Sequence, residues 1–289
     1  MFWLICLCFS AFCTIGGVIA CISEGKLEIM LGVAVFAIFD IIFYKKYHDK
    51  KTGKTAEKKQ AKRESKEAAE KTAKEINDEG GKAIAIAANL TVAAEREAIF
   101  EKVVAEFGKV DILINNAGWG CKTSFLETTE ESFDRSINLN MKATYFMIQL
   151  ACKQMIKQGT GGRIVSTAST AAFQGERNGS IYSGTKNAII AFSRGIALEM
   201  GEYGINVNCV APGFTRTNNN GHIPSTIDDN FLSITPTKRI NEAQDIANGY
   251  LFLVSPESRQ ITAQVLPIDG GYSGTRAMQA SQNASMQVK

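Results

Sequence analysis

Hydrophobic and polar positions divide the chain into a leader, a charged helix and an alternating body. From Met1 to Ile22 there is no formal charge, and a second apolar run, Ile29 to Tyr44, is broken only by Asp40 before Lys45, Lys46, Lys50, Lys51 and Lys54 follow. At about 1.5 Å per residue the first run covers a ~30 Å hydrocarbon layer. Residues 1–46 therefore read as a transmembrane helical hairpin with Ser23 to Glu28 as its outer turn. Positive charge after the hairpin places the amino terminus and the rest of the chain on the cytoplasmic face of the membrane. Residues 47–63 open a proline-free Lys, Glu, Ala and Gln run that reaches Asp78, the pattern of a long solvated helix. Beyond it, apolar runs at Ala83 to Ala87, Val110 to Ile114 and Gly162 to Ser169 read as buried strands, and Tyr182 to Met200 has helical period and length. Strands alternating with helices predict an α/β sheet.

Other readings of the leader carry less weight. No basic residue precedes its apolar stretch, which disfavours a secretory signal. Val18-Ile-Ala-Cys21 has the look of a lipoprotein cleavage site, which would export the domain. Leu31 to Asp40 could be a buried strand ending in an acid, but forty residues separate Asp40 from Gly80-Gly81, about twice what one crossover helix needs.

At 289 residues, 45% of them hydrophobic and 21% charged, the chain can bury one large core. A net charge of +3 with no basic stripe argues against nucleic acid. Cys121, Cys152 and Cys209 lack metal-ligand spacing and the histidines are two, His48 and His222, so no metal site is expected.

Chemistry concentrates at Ser169, Tyr182 and Lys186, with spacings of 13 and 4. A phenol has a pKa of about 10, and an ammonium one helical turn away favours the phenolate. Such a tyrosine can trade a proton with an alcohol. The pair is weak by itself, since Tyr47 and Lys51 share its spacing, but Ser169 closes a strand at the end where open α/β sheets hold ligands.

From about Ser65 to Gly271 the chain resembles the short-chain dehydrogenase/reductase family. The resemblance rests on Asn115-Asn-Ala-Gly118, Asn140, Ser169, Tyr182-Ser-Gly-Thr-Lys186, Asn206-Val-Asn208, Pro212-Gly213 with Thr217, and Asp269-Gly-Gly271, in that order. It implies a doubly wound, parallel, Rossmann-like sheet over residues 64–275, with 276–289 as a polar tail. It also implies an NAD(P)-dependent oxidoreductase interconverting a secondary alcohol and a ketone. In that family the position of Tyr182 is the general acid/base, Lys186 tunes it and holds the nicotinamide ribose, Ser169 bonds the substrate oxygen, and Asn140 positions a relay water. Asn138, two residues away, competes with Asn140 for that last role. Cofactor contacts fall on Asn89, Asn115, Ala117, Gly118, Tyr182, Lys186, Pro212, Gly213 and Thr217. The resemblance points further to a homo-oligomer and to a small alcohol, ketone or acyl thioester, with Trp119 in keeping with hydroxyacyl and oxoacyl thioester members.

The amino end departs from the family. A strand, a Thr-Gly-x-x-x-Gly-x-Gly loop and a helix should grip the pyrophosphate. The nearest fragment, Thr14-Ile-Gly16-Gly17, lacks the later glycines and has no evident strand before it. Asn89 stands in place of the usual aspartate, and Ala263 in place of a glycine. The expected sheet therefore lacks its first strand-helix-strand and leaves an open edge. Either the leader fills the gap, or another subunit does, or a membrane hairpin has replaced the first quarter of a dehydrogenase. The last case leads to the alternative function, a membrane-tethered pseudoenzyme unable to bind cofactor.

Overall fold

The computed structural model describes residues 3–8, 16–22, 54–216 and 231–275. Its strands are β1 (Trp3–Cys8), β2 (Gly16–Ile22), β3 (Lys82–Ala88), β4 (Ile112–Asn115), β5 (Gly162–Thr167), β6 (Ile205–Pro212), β7 (Thr215–Arg216), β8 (Asn241–Glu242) and β9 (Val265–Ile268). Seven of them form one sheet in the order β3-β2-β1-β4-β5-β6-β9, and β7 pairs with β8 apart from it. The helices are α1 (Lys54–Asp78), α2 (Ala93–Phe107), α3 (Glu130–Ser136), α4 (Thr144–Gln158), α5 (Ser180–Met200) and α6 (Ala243–Val254).

Alternation along the central strand sorts the helices into two layers. Ile112 and Ile114 join α1 and α6 through Ala69, Ala73, Ile76, Ile246, Tyr250 and Leu253. Leu113, pointing the other way, joins α2 and α4 through Ile99, Phe100, Val103, Met147 and Ile148. All three β4 side chains are fully buried, as expected of a strand covered on both faces. The doubly wound architecture read from the sequence is present, and α1 runs without a break across the expected boundary at residue 64.

The amino end corrects two expectations. Met1 to Ile22 does not form a transmembrane helix, because residues 3–8 and 16–22 are strands of the sheet. Nor does the sheet lack its first two strand positions. β1 lies parallel against β4 with Leu7 opposite Asn115, and β2 bridges β1 and β3 antiparallel to both. Without β1 the edge of β4 would leave peptide groups unpaired beside three buried aliphatics, and a short apolar strand satisfies those groups better than water reaching them from one side. A strand also precedes Gly16-Gly17 after all. Among the described residues no helix is long and apolar enough to cross a membrane. The second apolar run, Ile29 to Tyr44, lies outside the described residues.

Antiparallel β2 changes the cofactor edge. Cys8 pairs with Gly17 and Gly16 with Ala88, so β1 ends and β2 begins at the carboxyl end of the parallel strands. The carboxyl end of β2, at Ile22 opposite Lys82, falls on the far side of the sheet. An acid closing that strand could not reach an adenosine ribose at the ligand edge.

Candidate active site

β4, β5 and α5 deliver their polar residues to one place. Ser169 follows β5 in extended backbone, its Oγ accepting from the Ala171 N–H at 3.2 Å. The same hydroxyl acts on the phenol of Tyr182, in the first turn of α5, in the sense that favours the phenolate. One turn on, the Lys186 ammonium lies 5.7 Å from the Tyr182 ring centroid and donates to the Thr167 carbonyl at 2.7 Å. Residues four apart share a helix face, which explains how one helix presents both.

Burial governs the electrostatics. Lys186 is 3% exposed, and the loss of hydration lowers its ammonium from 10.5 to about 8. Burial likewise raises the Tyr182 phenol above its usual value, the Ser169 hydroxyl opposes this, and the Glu176 carboxylate adds to it. The phenol is therefore raised by desolvation, not lowered as the spacing to Lys186 suggested.

Asn140 occupies a π-helical segment, Ile137–Ala143, between α3 and α4. One wide turn there rotates a side chain inward, a device frequent at functional sites. Asn140 is fully buried, its Nδ2 donating to the Trp119 carbonyl at 2.9 Å and to Thr185 Oγ1 at 3.1 Å while its Oδ1 accepts from the Trp119 N–H at 2.7 Å. Its backbone carbonyl accepts from Thr144 Oγ1. Asn138 is only half-buried, so Asn140 is the residue aimed at the site.

Asn115 Nδ2 donates to Ser166 Oγ at 3.2 Å, and its buried Oδ1 has no partner among the described residues. Ala117 is buried, and a Cβ added at Gly118 would stand 3.3 Å from Lys186 Nζ and 3.5 Å from Asn140 Oδ1. Pro212 closes β6, and the Gly213 N–H donates to the Ile268 carbonyl at 2.9 Å. Thr217 lies outside the described residues. Asn89 sits after β3, separated from β4 by β2 and β1, and its Oδ1 already accepts from the Thr91 N–H and hydroxyl at 3.0 and 2.8 Å. It is thus engaged in a local turn and is not brought to the Tyr182 cluster.

Sequence reasoning missed several contributors. Thr185 braces Asn140, Thr167 seats Lys186, and Asn116 with Tyr250 holds the Thr167 hydroxyl. Thr185 lies between Tyr182 and Lys186 and could have been found, with Ser183, as one of two hydroxyls within that turn. Thr167 acts through its backbone oxygen, which no residue type reveals. The Arg135 guanidinium lies 4.2 Å from the Trp119 ring centroid, a cation–π contact beside Asn140.

The residues present fit the nicotinamide and ribose end of a dinucleotide. The small Gly118 leaves space over an ammonium and an amide, and hydroxyl, phenol and ammonium donors converge at a strand end. For the pyrophosphate, the residues between β1 and β2, where a grip would sit, lie outside the described residues. A bound nicotinamide would supply or accept a hydride. The protein's own groups would hold a carbonyl oxygen by the Ser169 and Tyr182 hydroxyls and move a proton through the phenol.

A family model described as "Enoyl-(Acyl carrier protein) reductase" matches residues 60–273. The 2-dehydro-3-deoxy-D-gluconate 5-dehydrogenase of Dickeya dadantii is 36% identical over 195 residues, covering 67% of this chain and 77% of that one. The 3-oxoacyl-[acyl-carrier-protein] reductase of Staphylococcus epidermidis is 34% identical over 196 residues, covering 68% and 80%. Among solved structures, a 7α-hydroxysteroid dehydrogenase complexed with NADH and 7-oxo glycochenodeoxycholic acid superposes with a TM-score of 0.68 at 35% identity, covering 71% of this chain and 80% of that one. With the fold, the motif order and these matches in agreement, the chain belongs to the short-chain dehydrogenase/reductase family, enzymes acting on CH–OH groups with a typical dependence on NAD(P).

Proposed function

We propose that this protein interconverts a secondary alcohol and a ketone with NAD or NADP, and that its substrate is a 3-hydroxyacyl or 3-oxoacyl thioester. The observation that carries the first part is the buried Lys186 ammonium, seated on the Thr167 carbonyl 5.7 Å from the Tyr182 ring centroid, with the Ser169 hydroxyl acting on the same phenol. In reduction Tyr182 gives its proton to the ketone oxygen, which Ser169 holds by a hydrogen bond. Lys186 stabilises the phenolate left behind, and Asn140, braced by Thr185 and Trp119, orders the proton path from solvent. In oxidation Tyr182 takes the hydroxyl proton instead.

The thioester reading is supported by the similarity to a 3-oxoacyl-[acyl-carrier-protein] reductase and by Trp119 with its stacked Arg135, an aromatic and cationic wall beside the site. The family tendency to oligomerise, with Leu126 93% exposed and Phe125 78% exposed, supports a homo-oligomer. Purified protein assayed with NADH and with NADPH against acetoacetyl-CoA, 7-oxo glycochenodeoxycholic acid and 2-dehydro-3-deoxy-D-gluconate tests the substrate. Preference for acetoacetyl-CoA by kcat/KM upholds the proposal. Preference for the steroid or the sugar acid replaces the thioester, and no turnover of any ketone in the panel with either nucleotide overturns the proposed activity.

A further inference from the structure

Two loops flank the Tyr182 helix at the carboxyl end of the sheet. One follows Gly118, and the other runs from Phe173 to Gly179, immediately before α5. Lys122 in the first forms an ion pair with Glu176 in the second. The Thr123 N–H donates to the Asn178 carbonyl at 3.0 Å, so side chains and backbone join the loops side by side.

The second loop is keyed to the helix. The Glu176 carbonyl accepts from the Gly179 N–H at 3.0 Å, Asn178 adopts a φ of 60°, and the Gly179 carbonyl accepts from the Ser183 N–H at 2.8 Å. A Cβ at Gly179 would stand 2.9 Å from Glu176 Oε2 and 3.1 Å from its Cβ, so the glycine lets the glutamate fold back toward the helix start. The groups acting on the phenol are then Ser169 from the end of β5, Lys186 from its own helix and Glu176 from this turn.

An ion pair with side chains 55% and 38% exposed contributes little to stability. Its effect falls instead on the distance between loops and on the charge beside the phenol. We propose that Lys122 and Glu176 are positioning residues, whose ion pair fixes the gap through which substrate reaches Tyr182 and neutralises the Glu176 carboxylate at the start of the Tyr182 helix. The proposal rests on Tyr182 being the general acid/base.

The test is the pH dependence of 3-hydroxybutyryl-CoA oxidation, with NAD or NADP, for wild type, Lys122→Gln, Glu176→Gln, Lys122→Arg and the exchanged pair Lys122→Glu with Glu176→Lys. Oxidation requires the phenolate. Removing the Glu176 charge moves the acidic limb of kcat/KM down by about half a pH unit, and removing Lys122 moves it up by a similar amount. Both neutral variants raise KM by about fivefold, Lys122→Arg keeps the wild-type KM, and the exchanged pair recovers it because the bridge is restored. Wild-type KM and an unmoved limb in both neutral variants overturn the proposal, as does failure of the exchanged pair and of Lys122→Arg to recover KM. Activity lost in Tyr182→Phe while the pair variants behave as wild type overturns the pair and keeps the catalytic reading. Wild-type activity retained in Tyr182→Phe overturns both.

Discussion

The Lys186 ammonium donates to the Thr167 carbonyl across 2.7 Å at 3% exposure, so a charge is held where water barely reaches it. Burial pulls that ammonium down from 10.5 to about 8. Each tenfold loss of proton affinity costs the folded state about 1.4 kcal/mol while the charge is kept. Lys186→Met removes the charge, whose burial costs about 3.5 kcal/mol at pH 7, and loses one hydrogen bond of about 1–2 kcal/mol, so a net gain of about 2 kcal/mol is expected. The variant should melt about 4–8 °C higher without cofactor and have no turnover. Thermal unfolding beside an activity assay checks both halves.

The same lowering sets the direction of pH effects. Between about 8 and 10.5 the unfolded chain keeps the Lys186 proton that the folded protein has released. Stability therefore rises with pH in that window, and Lys186→Met lacks the rise. Above about 10 the raised Tyr182 phenol works in the opposite sense, because the folded state then keeps the extra proton. Urea unfolding at pH 8 and pH 9.5 measures the difference.

Ketone reduction requires the Tyr182 proton and the Lys186 charge together. The phenol stays protonated through neutrality, so kcat/KM should be level from about pH 6 to 7 and fall as Lys186 discharges near 8. A steady-state profile that stays level to pH 10 would contradict this assignment.

Ala263 is strained. Its φ is 60°, in the left-handed region that a side chain makes costly, while its N–H is fixed to the Val207 carbonyl at 2.8 Å. Ala263→Gly should stabilise the protein by about 1 kcal/mol and leave kcat/KM unchanged. Chemical denaturation with the slope compared between the two proteins provides the check.

Removing residues 1–22 would leave β3 and β4 unpaired on facing edges, with Ile112, Leu113 and Ile114 beside the gap. The truncated protein should aggregate, because open strand edges next to buried aliphatics pair with other chains. Size-exclusion chromatography showing a monodisperse soluble truncation would count against β1 and β2 as sheet strands.

The body of the fold was legible because its signals are local. Apolar runs at Val110 to Ile114 and Gly162 to Ser169 became β4 and β5, and the spacing from Tyr182 to Lys186 placed both on one face of α5. The leader misled because an uncharged run of twenty-two residues satisfies a membrane span, and only the open edge of β4 selects the strand instead. Period and composition carry no knowledge of that edge. The phenol's environment was misread for a similar reason. A neighbouring lysine is visible in sequence, whereas the desolvation that raises the phenol depends on burial that only the folded chain supplies. For Ala263 the departure from glycine was legible, but the sign of φ that makes it costly was not.

The proton chemistry of Tyr182 is tested most directly by Tyr182→Phe assayed two ways, by NADH or NADPH fluorescence titration and by acetoacetyl-CoA reduction. The phenyl ring keeps the packing of α5 and removes only the phenolic hydroxyl on which Ser169 acts. The expected result is a nucleotide Kd within about twofold of wild type and a fall in kcat of about 10³-fold or more. A variant that reduces the thioester at the wild-type rate would contradict the assignment of the general acid/base to this phenol.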